Sequence, residues 1–208
     1  SRCVLITSSV SGEGKTFTAI NLASVFSLSD KKTLILGLDL RKPKIFDDFG
    51  LHNEVGAVDY LAGDNTISDI IQKTSHKNLD VITSGTIPPN PSEILMREKM
   101  DQMIAELKER YDYVVIDTPP IGLVADALNL IKYADASLYM VRQDYTKKGM
   151  LGIINEKYEK GEVENMSFVL NYFRQKAKYG YGYDGYGYGY GYGYGKYGQA
   201  YVEQEKKP

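Results

Sequence analysis

A glycine-rich segment near the start of the chain has residue types that bind phosphate. Residues 9–16 read Ser-Val-Ser-Gly-Glu-Gly-Lys-Thr, which matches the pattern G-x-x-x-x-G-K-[ST] except that Ser9 replaces the first glycine. An apolar run precedes the segment and a helical pattern follows it, so its backbone N–H groups can turn inward around phosphate oxygens. We expect the ammonium group of Lys15 to reach the β- and γ-phosphates and the hydroxyl of Thr16 to bind Mg²⁺. The segment therefore predicts a binding site for a nucleoside triphosphate.

Two acidic residues come at the ends of apolar runs further along the chain. Asp117 ends the run Tyr113–Asp117 and is followed by Thr-Pro-Pro, as in a Walker B element. Asp39 follows a second run and precedes Arg41. Because ligands of open α/β sheets collect at the carboxyl ends of strands, we expect Asp117 beside the Mg²⁺. Asp39 could hold Mg²⁺ or take a proton from an incoming hydroxyl, and Arg41 could contact phosphates or a neighbouring subunit.

The elements that must position these residues alternate between apolar runs and helical patterns. The predicted strands are Arg2–Thr7, Thr33–Leu38, Leu79–Thr83, Tyr113–Asp117, Ser137–Val141 and Ser167–Asn171. The predicted helices are Lys15–Ser29, Ser92–Arg110, Leu123–Lys132 and Lys148–Lys160, with helical turns near Ala57–Leu61 and Ser68–Gln72. The second helix is expected to begin with Ser92 as its N-cap and to bury a stripe formed by Met96, Met100, Met103, Ile104 and Leu107. Repeated β-α-β units predict an α/β fold with a doubly wound, mainly parallel sheet.

Composition divides the 208 residues into a domain, 1–173, and a low-complexity tail, 174–208. The tail holds ten tyrosines between Tyr179 and Tyr201, with glycine at most of the alternate positions, and this pattern predicts disorder. The domain carries 19 Lys/Arg and 24 Asp/Glu, and the tail carries six and three. Neither balance is typical of a nucleic-acid-binding protein. The single cysteine, Cys3, excludes an intramolecular disulfide and fits a reducing cytosol.

The ends of the chain and its hydropathy give two further expectations. No apolar run approaches the roughly 18 residues that span a membrane, and no secretory leader is recognisable. The chain begins at Ser1, directly before a predicted strand and without Met, so we expect it to be part of a longer protein.

Taken together, these motifs resemble those of a known family. The chain is similar to the cytoplasmic kinase domain of bacterial tyrosine kinases, the polysaccharide co-polymerase class that regulates capsule and exopolysaccharide export. The resemblance covers about residues 2–173 and the tail. It is carried by the Ser8–Thr16 loop, by Asp39-Leu40-Arg41-Lys42-Pro43, by Asn90-Pro91-Ser92-Glu93, by Asp117-Thr118-Pro119-Pro120 and by the terminal tyrosine cluster.

The resemblance implies a ParA/MinD-type P-loop fold, Mg·ATP as the substrate complex and tyrosine as the phosphoryl acceptor. It also implies a homo-oligomeric ring, in which the tail of one subunit enters the active site of the next. An N-terminal membrane-spanning adaptor region, fused or on a separate chain, and an opposing protein-tyrosine phosphatase would complete the system. The domain would then lie at the cytoplasmic face of the inner membrane.

The resemblance assigns roles to particular residues. Catalytic roles fall to Lys15, Asp39, Arg41 and Asp117, and metal binding to Thr16, Asp39 and Asp117. ATP binding falls to Ser11, Gly12, Glu13, Gly14, Lys15, Thr16, Phe17 and Asn171, with Asn171 expected to contact adenine. The expected phosphoacceptors are Tyr179, Tyr181, Tyr183, Tyr186, Tyr188, Tyr190, Tyr192, Tyr194, Tyr197 and Tyr201.

Two features depart from the family pattern. The family's second motif usually reads Asp-x-Asp-x-Arg, and Gly37 stands where its first Asp, the usual general base, belongs. Because phosphoryl transfer depends mainly on positioning and charge stabilisation, the missing base is expected to lower the rate without abolishing it. Asp39 is the candidate that substitutes for it. The Glu/Arg ring-forming motif of the family lies before the P-loop strand, where this chain has not yet begun.

Two other functions stay open at this point. A ParA/MinD-like ATPase that positions cargo usually carries an additional lysine near the start of the P-loop, and Ser8–Ser11 contains none. A catalytically weak, nucleotide-gated assembly module is the second alternative, and Gly37 is the feature that favours it.

Overall fold

Parallel strand pairing organises the described part of the chain, which is residues 2–122 and 126–174 of a computed structural model. The strands are β1 (Arg2–Ser8), β2 (Thr33–Gly37), β3 (Gln72–Lys73), β4 (Leu79–Ile82), β5 (Tyr113–Asp117), β6 (Ala136–Arg142) and β7 (Met166–Asn171). They form a sheet in the order β3-β4-β2-β5-β1-β6-β7, and every pair is parallel except β3 with β4. The α/β, doubly wound, mainly parallel fold predicted from the sequence is confirmed.

Helices cover both faces of this sheet. They are α1 (Lys15–Leu28), α2 (Ile45–Phe49), α3 (Ala57–Ala62), α4 (Ile67–Ile70), α5 (Pro91–Leu95), α6 (Glu98–Arg110), α7 (Asp126–Ile131) and α8 (Lys148–Glu159). Two apolar clusters of buried residues, one larger than the other, fill the core. The central strands are buried along their length, which is why β2 and β5 read as continuous apolar runs.

The strand order creates a crevice at the carboxyl end of β1. In the strand order, β2 lies on one side of β1, beyond β5, whereas β6 and β7 lie on the other side of β1. The chain therefore first adds strands toward one edge of the sheet and later toward the opposite edge. This reversal of direction is the topological switch point at which open α/β sheets bind ligands. The glycine-rich segment leaves β1 at this point and leads directly into α1.

Small side chains let α1 pack closely against the sheet. Its buried positions, Lys15, Ala19, Ala23 and Ser27, recur every four residues and so form one stripe. Ala19 and Ala23 pack with Ile6, Ile35 and Val115 in the smaller cluster. The helix N-terminus is thereby held against the carboxyl ends of β1 and β5.

One predicted helix is wrong in its extent. Residues 92–110 do not form a single helix, because Arg97 has an extended backbone (φ −70°, ψ 150°) that separates α5 from α6. Ser92 is therefore not an N-cap; Asn90 and Arg97 precede the two helices. Met96 is 70% exposed, whereas the remaining members of the predicted stripe, Met100, Met103, Ile104 and Leu107, are buried as expected.

Smaller differences concern the segment between β2 and β4. The helical turn predicted near Ser68–Gln72 is present as α4, but it ends at Ile70, because Gln72 and Lys73 pair antiparallel with β4 as β3. The short helix α2 was not predicted. The other predicted strands and helices begin and end within one residue of the observed ones. The exception is the start of α7, which was predicted at Leu123 and lies outside the described residues. The predicted tail from residue 175 onward lies outside them as well.

The hydropathy expectation can be checked on the described part of the chain. None of its helices combines the length and the apolar character that crossing a membrane requires.

The tight contact between α1 and the sheet can be tested by overpacking. Ala23→Leu adds volume at a fully buried position, so we expect the free energy of unfolding to fall by about 1–3 kcal/mol. Val25→Leu on the same helix, at a residue that is 58% exposed, is the control and should change it by less than about 0.5 kcal/mol. Urea denaturation measures both, and equal effects would contradict the packing described here.

Candidate nucleotide-binding site

Two glycines give the loop between β1 and α1 its shape. Gly12 (φ +84°) and Gly14 (φ +99°) have left-handed backbone conformations that side chains other than glycine rarely adopt. A Cβ atom at Gly14 would also lie 2.1 Å from Nδ2 of Asn171. The backbone conformation therefore favours glycine at Gly14, the N-cap of α1, and a side chain there would also have to displace the amide of Asn171.

The loop is held from outside through its carbonyl groups. Three consecutive carbonyl oxygens accept hydrogen bonds from residues at the ends of β6 and β7: that of Ser11 from Tyr145 Oη (3.2 Å), that of Gly12 from Arg142 Nη1 (2.8 Å) and that of Glu13 from Asn171 Nδ2 (3.0 Å). Since these carbonyls point outward, neighbouring N–H groups are available on the opposite, inner side. This is the arrangement that a phosphate-binding loop needs.

The side chain of Glu13 braces the same loop. It is fully buried, and its Oε2 accepts the backbone N–H of Val10 at 2.9 Å. Its Oε1 accepts a short hydrogen bond from the hydroxyl of Thr146. The carboxylate of Glu13 thus links the loop to the segment after β6. If Glu13 binds ATP, as predicted, it does so through its backbone.

Lys15 and Thr16 lie together at the N-terminus of α1. The Thr16 hydroxyl donates to Oδ2 of Asp117 at 2.7 Å, which joins the helix to the end of β5. Lys15 is 7% exposed, and its burial lowers the pKa of its ammonium group, an effect that the charges of Asp117, Asp39 and Glu13 oppose. The structure therefore brings together the lysine, the hydroxyl and the carboxylate that the sequence predicted.

The carboxyl group of Asp117 has the properties of a cation ligand. It is buried, and its Oδ1 has no hydrogen-bond partner. Burial raises its pKa to about 7, although the Thr16 hydrogen bond and the charge of Lys15 lower it. A buried acceptor oxygen without a partner is unfavourable, and a bound Mg²⁺ would satisfy it. Thr16 Oγ1 and Asp117 thus fit a magnesium ion that takes its other ligands from phosphate oxygens and water.

Asp39 and Arg41 lie at the neighbouring strand end. Oδ1 of Asp39 accepts the backbone N–H groups of Arg41 (3.3 Å) and Lys42 (3.1 Å), so this carboxylate is fixed by the turn that follows β2. Arg41 Nη2 donates to the Ser92 hydroxyl at 3.1 Å. The half-buried Asp39 is close enough to Lys15 for its charge to affect the lysine pKa.

Gly37 lies directly opposite Asp117 in the paired strands β2 and β5. A Cβ atom there would meet Ile45 Cδ1 at 3.3 Å and the carbonyl oxygen of Ile82 at 3.4 Å. The backbone could therefore carry a side chain if Ile45 shifted slightly. A small cavity lined by Gly37, Asp39 and Asp117, among others, lies beside this position.

Sequence reasoning missed the residues that flank the loop on the β6 side. The Arg142 guanidinium lies between two aromatic rings, 4.8 Å from the centroid of Tyr145 and 4.0 Å from that of Tyr172. With Gln143, Asp144 and Arg174, these residues line an open cleft of 190 Å³. Position at the end of a strand next to β1 was the only sequence signal that could have indicated them.

The remaining predicted residues differ in how the structure places them. Asn171 lies at the loop, where its Nδ2 donates to the carbonyl oxygen of Glu13 and its Oδ1 accepts the backbone N–H of Tyr172 at 2.8 Å; its predicted contact with adenine stays a prediction. Phe17 is 68% exposed on α1. The ten predicted phosphoacceptors lie outside the described residues.

Comparisons with known proteins agree with this site. A family model described as an AAA domain matches residues 1–165. The tyrosine-protein kinase YwqD of Bacillus subtilis is 44% identical over 147 residues, which are 71% of this chain and 62% of that protein. The solved kinase domain of the Escherichia coli tyrosine kinase ETK superposes with a TM-score of 0.81 and 34% identity, covering 90% of this chain and 73% of that one. The chain thus spans less than two thirds of the length of the Bacillus relative.

A more distant structure shares the fold. The septum site-determining protein MinD of Pyrococcus horikoshii, solved in complex with Mg-ADP, superposes with a TM-score of 0.68 at 23% identity, covering 81% of this chain and 69% of that one. The predicted MinD-type P-loop fold is confirmed.

The buried Asp117 should make the stability of the metal-free protein depend on pH. Because its pKa of about 7 in the folded state lies above its ordinary value, its contribution to stability is present below about pH 4 and is lost as the pH rises through about 7. Asp117→Asn is neutral throughout and serves as the reference. Urea titrations give the free energy of unfolding of both proteins at each pH. The value for the wild type minus the value for the variant should fall as the pH rises from about 4 to about 7. Parallel pH profiles would contradict the raised pKa.

Proposed function

The chain belongs to the bacterial tyrosine kinases of the AAA-domain family, and from this membership we propose that it transfers the γ-phosphoryl group of ATP to tyrosine. The observation that carries the proposal is the hydrogen bond from half-buried Thr16 to buried Asp117, whose Oδ1 has no partner, at the N-terminus of the helix that follows the P-loop. Such a site has the parts that phosphoryl transfer requires, namely a phosphate cradle, a lysine and a cation ligand.

In this proposal each group has a defined part in the reaction. The inward N–H groups of residues 11–16 and the Lys15 ammonium stabilise the charge on the β- and γ-phosphates. When bound at Thr16 and Asp117, Mg²⁺ neutralises charge on the same oxygens. The phenolic oxygen of the acceptor forms a bond to the γ-phosphorus while the bond to the bridging oxygen of ADP breaks. The phenolic proton passes to a nearby base.

Asp39 is our candidate for that base. It lies two residues beyond Gly37, which has no side chain to take the proton, and it is half-buried at the mouth of the site. The turn that follows β2 fixes its Oδ1, which accepts two backbone N–H groups, and so holds the carboxylate in one position. We propose that Arg41, on the same turn, contacts phosphates or a neighbouring subunit.

We place the adenine base in the 190 Å³ cleft between the ends of β6 and β7. Asn171, predicted to contact adenine, directly precedes Tyr172 of the cleft lining, and its Nδ2 donates to the Glu13 carbonyl of the P-loop. Arg142 and Tyr172, which line the cleft, offer a guanidinium plane and an aromatic face for stacking. Phe17 is too exposed to form part of an enclosed base pocket, but it follows the loop directly.

We propose that the acceptors are the tail tyrosines of a second copy, from Tyr179 to Tyr201. Glycine at alternate positions removes steric obstacles to presenting any of them. Each phosphate adds a charge of about −1.5 to −2, so several would reverse the tail's excess of three positive charges. Phosphorylation would then release the tail from an acidic neighbouring site and loosen a ring of subunits.

The wider setting follows from the same family membership. We propose a homo-oligomeric ring, a membrane-spanning adaptor region that is fused or separate, and a protein-tyrosine phosphatase that reverses the reaction. The domain would work at the cytoplasmic face of the inner membrane and regulate capsule or exopolysaccharide synthesis and export. The greater length of the Bacillus relative leaves room for additional regions in such proteins.

Incubation with Mg·ATP followed by intact mass measurement tests the proposed activity. We expect mass increases of one or more phosphates that map to residues 179–201. Lys15→Met should abolish them, because the buried ammonium group on the phosphates is lost. Release of free phosphate without a mass change would instead indicate a MinD-like ATPase, and neither product would indicate a nucleotide-gated assembly module.

A double variant tests the role of Asp39. Asp39→Asn should slow tail phosphorylation by about 10- to 100-fold, because the variant has no carboxylate to accept the proton. If Asp39 replaces the missing side chain at residue 37, then adding Gly37→Asp to this variant should restore most of the rate. A Cβ atom at residue 37 fits if Ile45 shifts by a few tenths of an ångström. Initial rates of phosphate incorporation are measured, and a failure of Gly37→Asp to rescue would contradict this assignment.

A further inference from the structure

The segment between β6 and α8 places a tyrosine hydroxyl on the outer side of the P-loop. Tyr145 is 49% exposed, and its Oη donates to the Ser11 carbonyl oxygen at 3.2 Å. The hydroxyl also lies beside Gly12, because a Cβ atom added to that glycine would be 3.5 Å from Oη. A solvent-accessible phenol is thus part of the structure that holds the phosphate-binding loop.

Two other tyrosines in the described part of the chain are exposed, and they differ from Tyr145 in this contact. Tyr158 is 60% exposed on α8, and Tyr172 is 53% exposed with its ring against Arg142. Within residues 2–122 and 126–174, Tyr145 is the exposed tyrosine whose hydroxyl bonds to the P-loop. Modification of the Tyr145 hydroxyl would therefore remove a hydrogen bond that holds the P-loop.

We propose that Tyr145 is a phosphorylation site at which the kinase limits its own affinity for nucleotide. The proposal rests on the kinase activity proposed above. Tyr145 Oη is on the carbonyl side of Ser11, whereas the γ-phosphate binds on the N–H side. A second copy of the chain must therefore supply the phosphoryl group. The phenolic oxygen forms the bond to phosphorus, ADP leaves, and the phenolic proton goes to the base of that second copy.

Phosphorylation would remove two of the three outer supports of the loop. The phosphate ester has no hydrogen to donate to Ser11, and its oxygens would repel the carbonyl oxygens of Ser11 and Gly12. Arg142, whose guanidinium is 4.8 Å from the Tyr145 ring, would pair with the new dianion and leave the Gly12 carbonyl. Only the Asn171 bond would remain of the three. We therefore expect the affinity for Mg·ADP to fall about tenfold or more.

The experiment uses the full chain after incubation with Mg·ATP. Trypsin cleaves after Arg142 and Lys147 and releases residues 143–147, in which Tyr145 is the single tyrosine. Phosphate on this peptide, on the tail and on the peptide with Tyr158 is quantified. Mg·ADP affinity is then measured by calorimetry before and after incubation, for the wild type, Tyr145→Phe and Tyr158→Phe.

The expected result is phosphate on Tyr145 and a loss of affinity in the wild type and in Tyr158→Phe. In Tyr145→Phe the affinity should be the same before and after incubation, although the tail becomes phosphorylated. A phosphorylated tail with an unmodified Tyr145, or an equal loss of affinity in Tyr145→Phe, overturns this inference and leaves the proposed kinase activity standing. Absence of phosphate from every tyrosine overturns both.

Discussion

The hydrogen bond between Thr16 and Asp117 is the contact on which the rest of the site depends. It joins residues 101 positions apart, at the N-terminus of α1 and the end of β5. The contact forms because β1 and β5 are neighbours in register, with Ile6 opposite Asp117. Burying Asp117 with an unpartnered oxygen is unfavourable, and the apolar packing around β1 and β5 offsets it. The fold therefore holds in place, without a bound ion, the carboxylate that we propose as a cation ligand.

A second constraint acts on the same loop from the opposite side. If N–H groups are to face a phosphate, the carbonyl groups of the loop must find partners elsewhere. Tyr145, Arg142 and Asn171 provide these partners from β6 and β7, so the loop is held between two halves of the sheet. A change at the outer partners would alter the shape of the phosphate cradle without touching Lys15 or Asp117. Control of nucleotide affinity can thus be separated from the groups that act on the phosphates.

The sequence allowed the inner half of the site to be predicted, but not the outer half. Lys15, Thr16 and Asp117 could be recognised because their spacing and the apolar runs beside them are local patterns. Arg142 and Tyr145 support the loop across about 130 residues of chain, and no local pattern marks that pairing. The break at Arg97 was missed for a related reason: Met96 and Met100 have helical spacing, and only the tertiary structure shows that Met96 faces solvent.

Because residue 37 is glycine, the two proposed roles of cation binding and proton acceptance fall to separate carboxylates, those of Asp117 and Asp39. A carboxylate at residue 37 would lie opposite Asp117 in the strand pair and, as a like charge, would raise the pKa of Asp117 further above about 7. With glycine there, Asp117 keeps the buried position suited to a cation, and Asp39 stands at the half-buried mouth, where it can exchange a proton with solvent. In the proposed reaction, the departure from the family pattern moves the proton acceptor outward and leaves the phosphate cradle intact.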